Sequence, residues 1–193
     1  MGNCCTDTKV KDTDLKNDDA KVTNARGGHK TPHQDELLDN INSGPLQKFA
    51  VEALNTHNTY RKSHGVAPLT LNWELCKYSQ NWADKLAKEN LFEHSDCQWK
   101  GEVVGENIAM CSGQEMTGKY MTDIWYDEIA DYNFDNPGYS GETGHFTQVV
   151  WKDSKELGVG FSKGRDGSYF AVANYFPPGN DVDSFEKNVL RKK

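Results

Sequence analysis

The first six residues, Met1-Gly2-Asn3-Cys4-Cys5-Thr6, hold the chain's most specific short chemical pattern. Once Met1 is removed, Gly2 exposes an amine in the Met-Gly-x-x-x-Ser/Thr setting that accepts a myristoyl chain. One such chain binds a bilayer only reversibly, so stable anchoring needs a second signal. A polybasic patch does not supply it, because residues 1–44 carry six basic and eight acidic side chains. Cys4 and Cys5 can supply it, as thiols placed for palmitoylation once the first chain has reached the lipid surface. Dual acylation is the reading taken, against a chance match or a metal-binding cysteine pair.

The remaining reactive residues argue more by what they omit. The chain has no Gly-x-Ser-x-Gly, no His-Glu-x-x-His and no catalytic-type cysteine neighbourhood. Beyond Cys4 and Cys5 only Cys76, Cys97 and Cys111 remain, an odd number that no disulfide framework can use in full. There is no Asn-x-Ser/Thr site and no apolar secretory signal, so a reducing compartment is expected. No apolar run approaches the roughly 20 residues that cross a bilayer. With 29 acidic and 22 basic residues the formal charge is −7. That surface repels phosphate backbones, so no nucleic-acid partner is expected.

The elements that must position this chemistry begin at residue 45. Residues 1–44 read as an acylated, flexible tail, polar from residue 7 onward and broken by Gly27-Gly28, with His29 and His33 solvated. From Leu46 through Phe49, Ala50, Ala53, Leu54, His57 and Tyr60-Arg61, apolar positions recur at helical spacing. His57 falls on the core side of that helix and His64 in a turn before Gly65, and both are read as structural. A second helix starts after Asn72, an N-cap, with stripe Leu75, Cys76, Ser79, Trp82, Ala83 and Leu86. A third carries Met116, Tyr120, Ile124-Trp125 and Glu128-Ile129. Strands are expected at Phe146–Trp151, Gly158–Phe161 and Tyr169–Phe176, with Gly164-Arg165-Asp166-Gly167 turning between the last two. Helices followed by strands give an α+β domain over residues 45–193.

Several segments resemble the CAP family (cysteine-rich secretory protein, antigen 5 and pathogenesis-related 1). Gly144-His145-Phe146-Thr147-Gln148-Val149-Val150-Trp151 is similar to its first signature, and Tyr175-Phe176-Pro177-Pro178-Gly179-Asn180 to its second. His57-Asn58-Thr59-Tyr60-Arg61, Leu69 to Leu75, Glu93-His94-Ser95 and Gly105-Glu106-Asn107-Ile108-Ala109 follow in the family's order. The resemblance spans residues 45–190 and implies an α-β-α sandwich, an antiparallel sheet between helical layers.

By motif match, the resemblance implies that His94, Glu106, Glu128 and His145 gather in one cleft. Its two imidazoles suit a weakly held Zn ion, and its carboxylates can fix the histidine tautomers. The loop around Pro137, Gly138 and Tyr139 resembles one implicated in sterol binding. Secreted members carry cysteines at positions matching Val159 and Ala173, so the disulfide-poor, N-acylated branch is the better match. That branch implies the cytosolic face of Golgi or other membranes, anionic lipid partners, sterol as a further ligand, self-association as a homodimer and a part in autophagy. The protein partner is unassigned. A non-enzymatic membrane-held domain is the reading taken. The alternatives are a sterol- or lipid-binding or secreted, extracellular CAP protein, and a metal-dependent hydrolase.

Overall fold

The structure, a computed structural model, describes residues 44–193 and the backbone of one strand, β1 (Cys5–Lys9). The first long helix, α1 (Pro45–Ser63), starts with a proline whose missing N–H costs nothing at that position. Its residues Phe49, Ala50, Ala53, His57 and Arg61 form the buried face that the spacing predicts. The next helix, α2 (Trp73–Glu89), is capped as expected: Asn72 Oδ1 accepts the N–H groups of Glu74 and Leu75 at 3.0 and 3.2 Å. Thr117 caps α3 (Gly118–Tyr126), which runs on into a 3₁₀ turn at Asp127–Asp131.

The main sheet has five strands in the order β1-β5-β7-β6-β2, where β2 is Thr70–Leu71, β5 Gly105–Cys111, β6 Glu156–Lys163 and β7 Tyr169–Phe176. A separate hairpin pairs β3 (Gln98–Trp99) with β4 (Glu102–Val103). The central strands β5, β7 and β6 are antiparallel, but β1 and β2 join the edges in parallel, so the sheet is mixed. The 105–111 strand was not anticipated as an element.

Alternation along β7 divides the core. Phe170 and Val172 pack with Ile108 and the α2 residues Ala83, Leu86 and Ala87. Ala171, Ala173 and Tyr175 face the opposite way, into the cluster built by α1, α3 and α4 (Gly144–Val150). Helices therefore cover both faces. Val159 and Ala173 are direct cross-strand partners and fully buried, filling their place with small apolar side chains. Cys76, Cys97 and Cys111 are buried free thiols.

The expected strand at Phe146–Trp151 is instead α4 with its C-cap at Trp151. Every residue of α4 is buried, so its apolar run has no exposed face to reveal its period. Its N-terminus also has no local side-chain cap, the signal from which a helix start is usually read. A last short helix, α5 (Phe185–Asn188), packs Phe185 edge-on against Trp151 at 5.0 Å.

Candidate functional site

The candidate residues fall into two histidine–carboxylate pairs built around β5. Glu106 is fully buried on the α2 side of the sheet, where it pairs in register with Asn174. Its Oε1 accepts from His94 Nδ1 at 2.8 Å and from the Ser95 N–H at 2.9 Å. Its Oε2 accepts from the Ser95 hydroxyl at 2.6 Å and from Asn174 Nδ2 at 3.0 Å. Four donors on two oxygens leave this carboxylate fully solvated by protein, which is how a buried acid is tolerated. Tyr78, on α2, closes the network with its hydroxyl 2.8 Å from Ser95 Oγ.

The second pair forms on the other side of β5. The 3₁₀ turn after α3 delivers Glu128 to the start of α4. Glu128 Oε1 accepts from His145 Nδ1 at 2.6 Å, and Oε2 accepts the N–H groups of His145 and Phe146 at 3.0 and 3.1 Å. Glu128 thus caps α4 from a distance and orients its first imidazole with the same carboxylate. Trp125 lies parallel to the His145 ring, 6.0 Å between centroids and 3° between planes.

In both pairs the carboxylate accepts a hydrogen bond from Nδ1–H, which leaves Nε2 as the nitrogen through which each ring would meet a metal. Among the described residues no three His, Cys, Asp or Glu side chains gather as a metal-holding group.

His57 and His64 take the structural roles expected of them. His57 donates from Nδ1 to the Ala53 carbonyl at 2.8 Å and accepts the Tyr175 hydroxyl at Nε2, also at 2.8 Å. Burial, helped by nearby Arg61 and opposed by the Ala53 bond, lowers its pKa to about 4, so the ring is neutral at pH 7. His64 is buried between the Leu190 carbonyl and the Tyr126 hydroxyl. Arg61 is buried, and its nitrogens bond the carbonyls of Ala67, Val149, Trp151 and Ser154. Burial lowers its pKa to about 10.

The loop holding Pro137, Gly138 and Tyr139 lines a hollow of about 210 Å³ together with Asp131, Tyr132 and Thr143. Tyr139 is 43 % exposed, one of few large apolar side chains at the surface. Gly2 and Cys4 lie outside the described residues, as do His29 and His33, and Cys5 is described only as strand backbone. Sequence reasoning missed Ser95, Asn107, Asn174 and Tyr175 as partners of the site. For Asn107 and Asn174 the available signal was a polar residue inside a strand that otherwise reads as apolar.

The family model described as CAP, the cysteine-rich secretory protein family, matches residues 54–175. The human Golgi-associated plant pathogenesis-related protein 1 is 46 % identical over 149 residues, 76 % of this chain and 96 % of that protein. Pathogenesis-related protein 1A of Nicotiana tabacum is 40 % identical over 136 residues, 69 % of this chain and 78 % of the relative. The crystal structure of NaASP2 with Zn²⁺ superposes with a TM-score of 0.62 at 23 % identity, covering 76 % of this chain and 87 % of that one; this likeness bears on the fold alone.

Proposed function

The chain belongs to the cysteine-rich secretory protein (CAP) family, and on that premise we propose that it is a non-enzymatic domain held at a membrane by its acylated first residues, working through lipid and protein contacts. The observation that carries the non-enzymatic reading is the commitment of the Glu106 carboxylate: it is fully buried and receives four hydrogen bonds. A general base must reach its substrate's proton. The nearest hydroxyl, Ser95, already donates to Glu106, so it is held as a structural donor rather than as a nucleophile. Membrane anchoring supports such a role, because it concentrates weak contacts on one surface without adding new ones.

The place of action under this reading is the cytosolic face of Golgi or other membranes, where anionic headgroups are the lipid partners and a second copy of the chain is a candidate protein partner. No helix among the described residues is long and apolar enough to cross a membrane, so attachment rests on Gly2, Cys4 and Cys5. Intact mass of the protein from eukaryotic cells is expected to show one myristoyl and one or two palmitoyl chains. Gly2→Ala is expected to move the protein from the membrane pellet to the supernatant. A Gly2→Ala protein that stays on membranes contradicts the anchoring reading.

A weakly held zinc ion, with His94 and His145 as candidate ligands, accompanies the proposal and adds binding without turnover. The second reading is lipid contact through the 137–139 loop, favoured by the exposure of Tyr139. In that case Tyr139→Ala reduces sterol capture by the otherwise intact protein, and unchanged capture counts against the loop.

A further inference from the structure

Two consecutive residues of β5 serve the two histidine pairs from opposite faces. Glu106 points toward α2 and holds His94. Asn107 points toward α1, α3 and α4, where its Nδ2 donates to the His145 carbonyl at 3.2 Å. The same amide donates to the Tyr175 hydroxyl, also at 3.2 Å. Asn107, Tyr175, His57 and His145 are all fully buried.

The direction of every proton in the chain follows from one fixed acceptor. The Ala53 carbonyl can only accept, so His57 carries its proton on Nδ1. Nε2 of the neutral ring is then a lone pair, and the Tyr175 O–H must donate to it. The Tyr175 oxygen is left as an acceptor for one N–H of Asn107, and the other N–H of that amide serves the His145 carbonyl. The reverse direction fails at every link, because an Asn amide nitrogen cannot accept. The chain therefore has a single arrangement, and it ends on the backbone of the residue whose ring Glu128 orients.

We propose that Asn107, backed by Tyr175 and His57, is a positioning residue that fixes the His145 turn of α4 to β5, so that one dipeptide, Glu106-Asn107, sets the relative placement of His94 and His145. Glu128 and Trp125 meet His145 from the α3 side. The tie from Asn107 adds a reference to β5, the strand that also carries Glu106. Hydrogen bonding to groups one layer out from a metal-binding ring is worth about 10–100-fold in metal affinity. In its bearing on metal this inference rests on the zinc reading above; in its bearing on His145 geometry it does not.

The test uses the full chain and two readouts. The first, on metal-free protein, is exchange of the His145 Nδ1 proton with water by nitrogen-15 NMR. Tyr175→Phe keeps the ring and removes the hydroxyl, and is expected to speed this exchange about tenfold or more. Val172→Ala, on the α2 face of the same strand, serves as a destabilised control and is expected to leave it within about twofold. The second readout is zinc alone, titrated against a chelating dye: about a tenfold or greater loss of affinity is expected for Tyr175→Phe and none for Val172→Ala. Should Tyr175→Phe fail to fold, Asn107→Ser carries both measurements. Exchange in Tyr175→Phe no faster than in Val172→Ala overturns the positioning role. Wild-type protein that takes up no zinc sinks the metal reading, and the exchange rates still decide the relay.

Discussion

Glu128 reaches His145 twice: its Oε1 lies 2.6 Å from the ring Nδ1, and its Oε2 lies 3.0 Å from the backbone N–H of the same residue. One carboxylate from a 3₁₀ turn therefore sets both where α4 starts and how its first imidazole faces. Removing it takes away the acceptor of three hydrogen bonds in a largely buried place. Glu128→Ala is expected to lower stability by about 1–3 kcal/mol, the usual cost of orphaned buried donors together with a lost cap. Urea denaturation measures this, and ring NMR should show His145 populating both tautomers. Glu128→Gln keeps one acceptor oxygen and should fall between the two.

Stability should depend on pH through His57. Its pKa is about 4 in the folded protein against 6.5 when exposed, so the unfolded chain binds the proton more readily. The linkage sign follows: this contribution is complete above pH 6.5, fades as pH falls toward 4, and is gone below that. A shift of this size corresponds to a loss on the order of 3 kcal/mol across the window. His64, also lowered by burial, adds in the same direction. Urea midpoints from pH 7 to 4 test this, and His57→Gln should remove most of the slope. A midpoint that does not move over that range would sink it.

The buried thiols should be inert. Desolvation raises Cys76 and Cys111 each to about 11, so almost no thiolate exists at pH 7. Native protein is expected to resist iodoacetamide at both positions while unfolded protein reacts at both. Mass spectrometry of the alkylated peptides distinguishes the two.

Much of this architecture was legible because it is local. The N-cap of Asn72, the α1 stripe from Phe49 to Arg61 and the 164–167 turn each depend on residues within a few positions of one another, and all stand as expected. What the sequence hid is non-local. Helix α4 takes its cap from Glu128, 17 residues earlier in the chain. Strand β5 shows no alternation because nearly all of it is buried on both faces. The four candidate residues were grouped through their motifs, not their spacing. Their arrangement as two pairs astride a strand follows only from the opposite facing of Glu106 and Asn107.

The glycines in β6 were legible only as interruptions, and the structure gives their reason. A Cβ on Gly158 would sit 2.4 Å from the Leu75 backbone, and one on Gly160 2.4 Å from Gln80 Cα. Helix α2 lies so close to the sheet that only hydrogen fits between them. Gly160→Ala therefore pushes the helix off Phe170 and Val172 and is expected to cost about 1–3 kcal/mol, as overpacking does. A thermal melt of Gly160→Ala within a degree of wild type would show that the helix can move without loss.

Arg61 makes the strongest demand on side-chain shape. Its Nε bonds Ala67 O at 2.9 Å, one terminal nitrogen bonds Trp151 O at 2.7 Å and Val149 O at 3.2 Å, and the other bonds Ser154 O at 2.9 Å. These carbonyls belong to the turn after α1 and to the segment where α4 leaves toward β6, so the guanidinium ties the first helix to the last part of the domain. Four neutral acceptors offset the charge, and the planar fork is what lets one side chain reach all of them. Lysine brings the charge but a single ammonium point, so Arg61→Lys leaves at least one carbonyl unsatisfied and still buries a cation. Arg61→Met removes the charge and strands all four carbonyls. Both variants are expected to lose about 3 kcal/mol or more. The lysine variant should lose further stability below neutral pH no faster than wild type, because its ammonium stays protonated there. A lysine protein with wild-type urea midpoint would mean that charge alone, and not the fork, holds the two ends together.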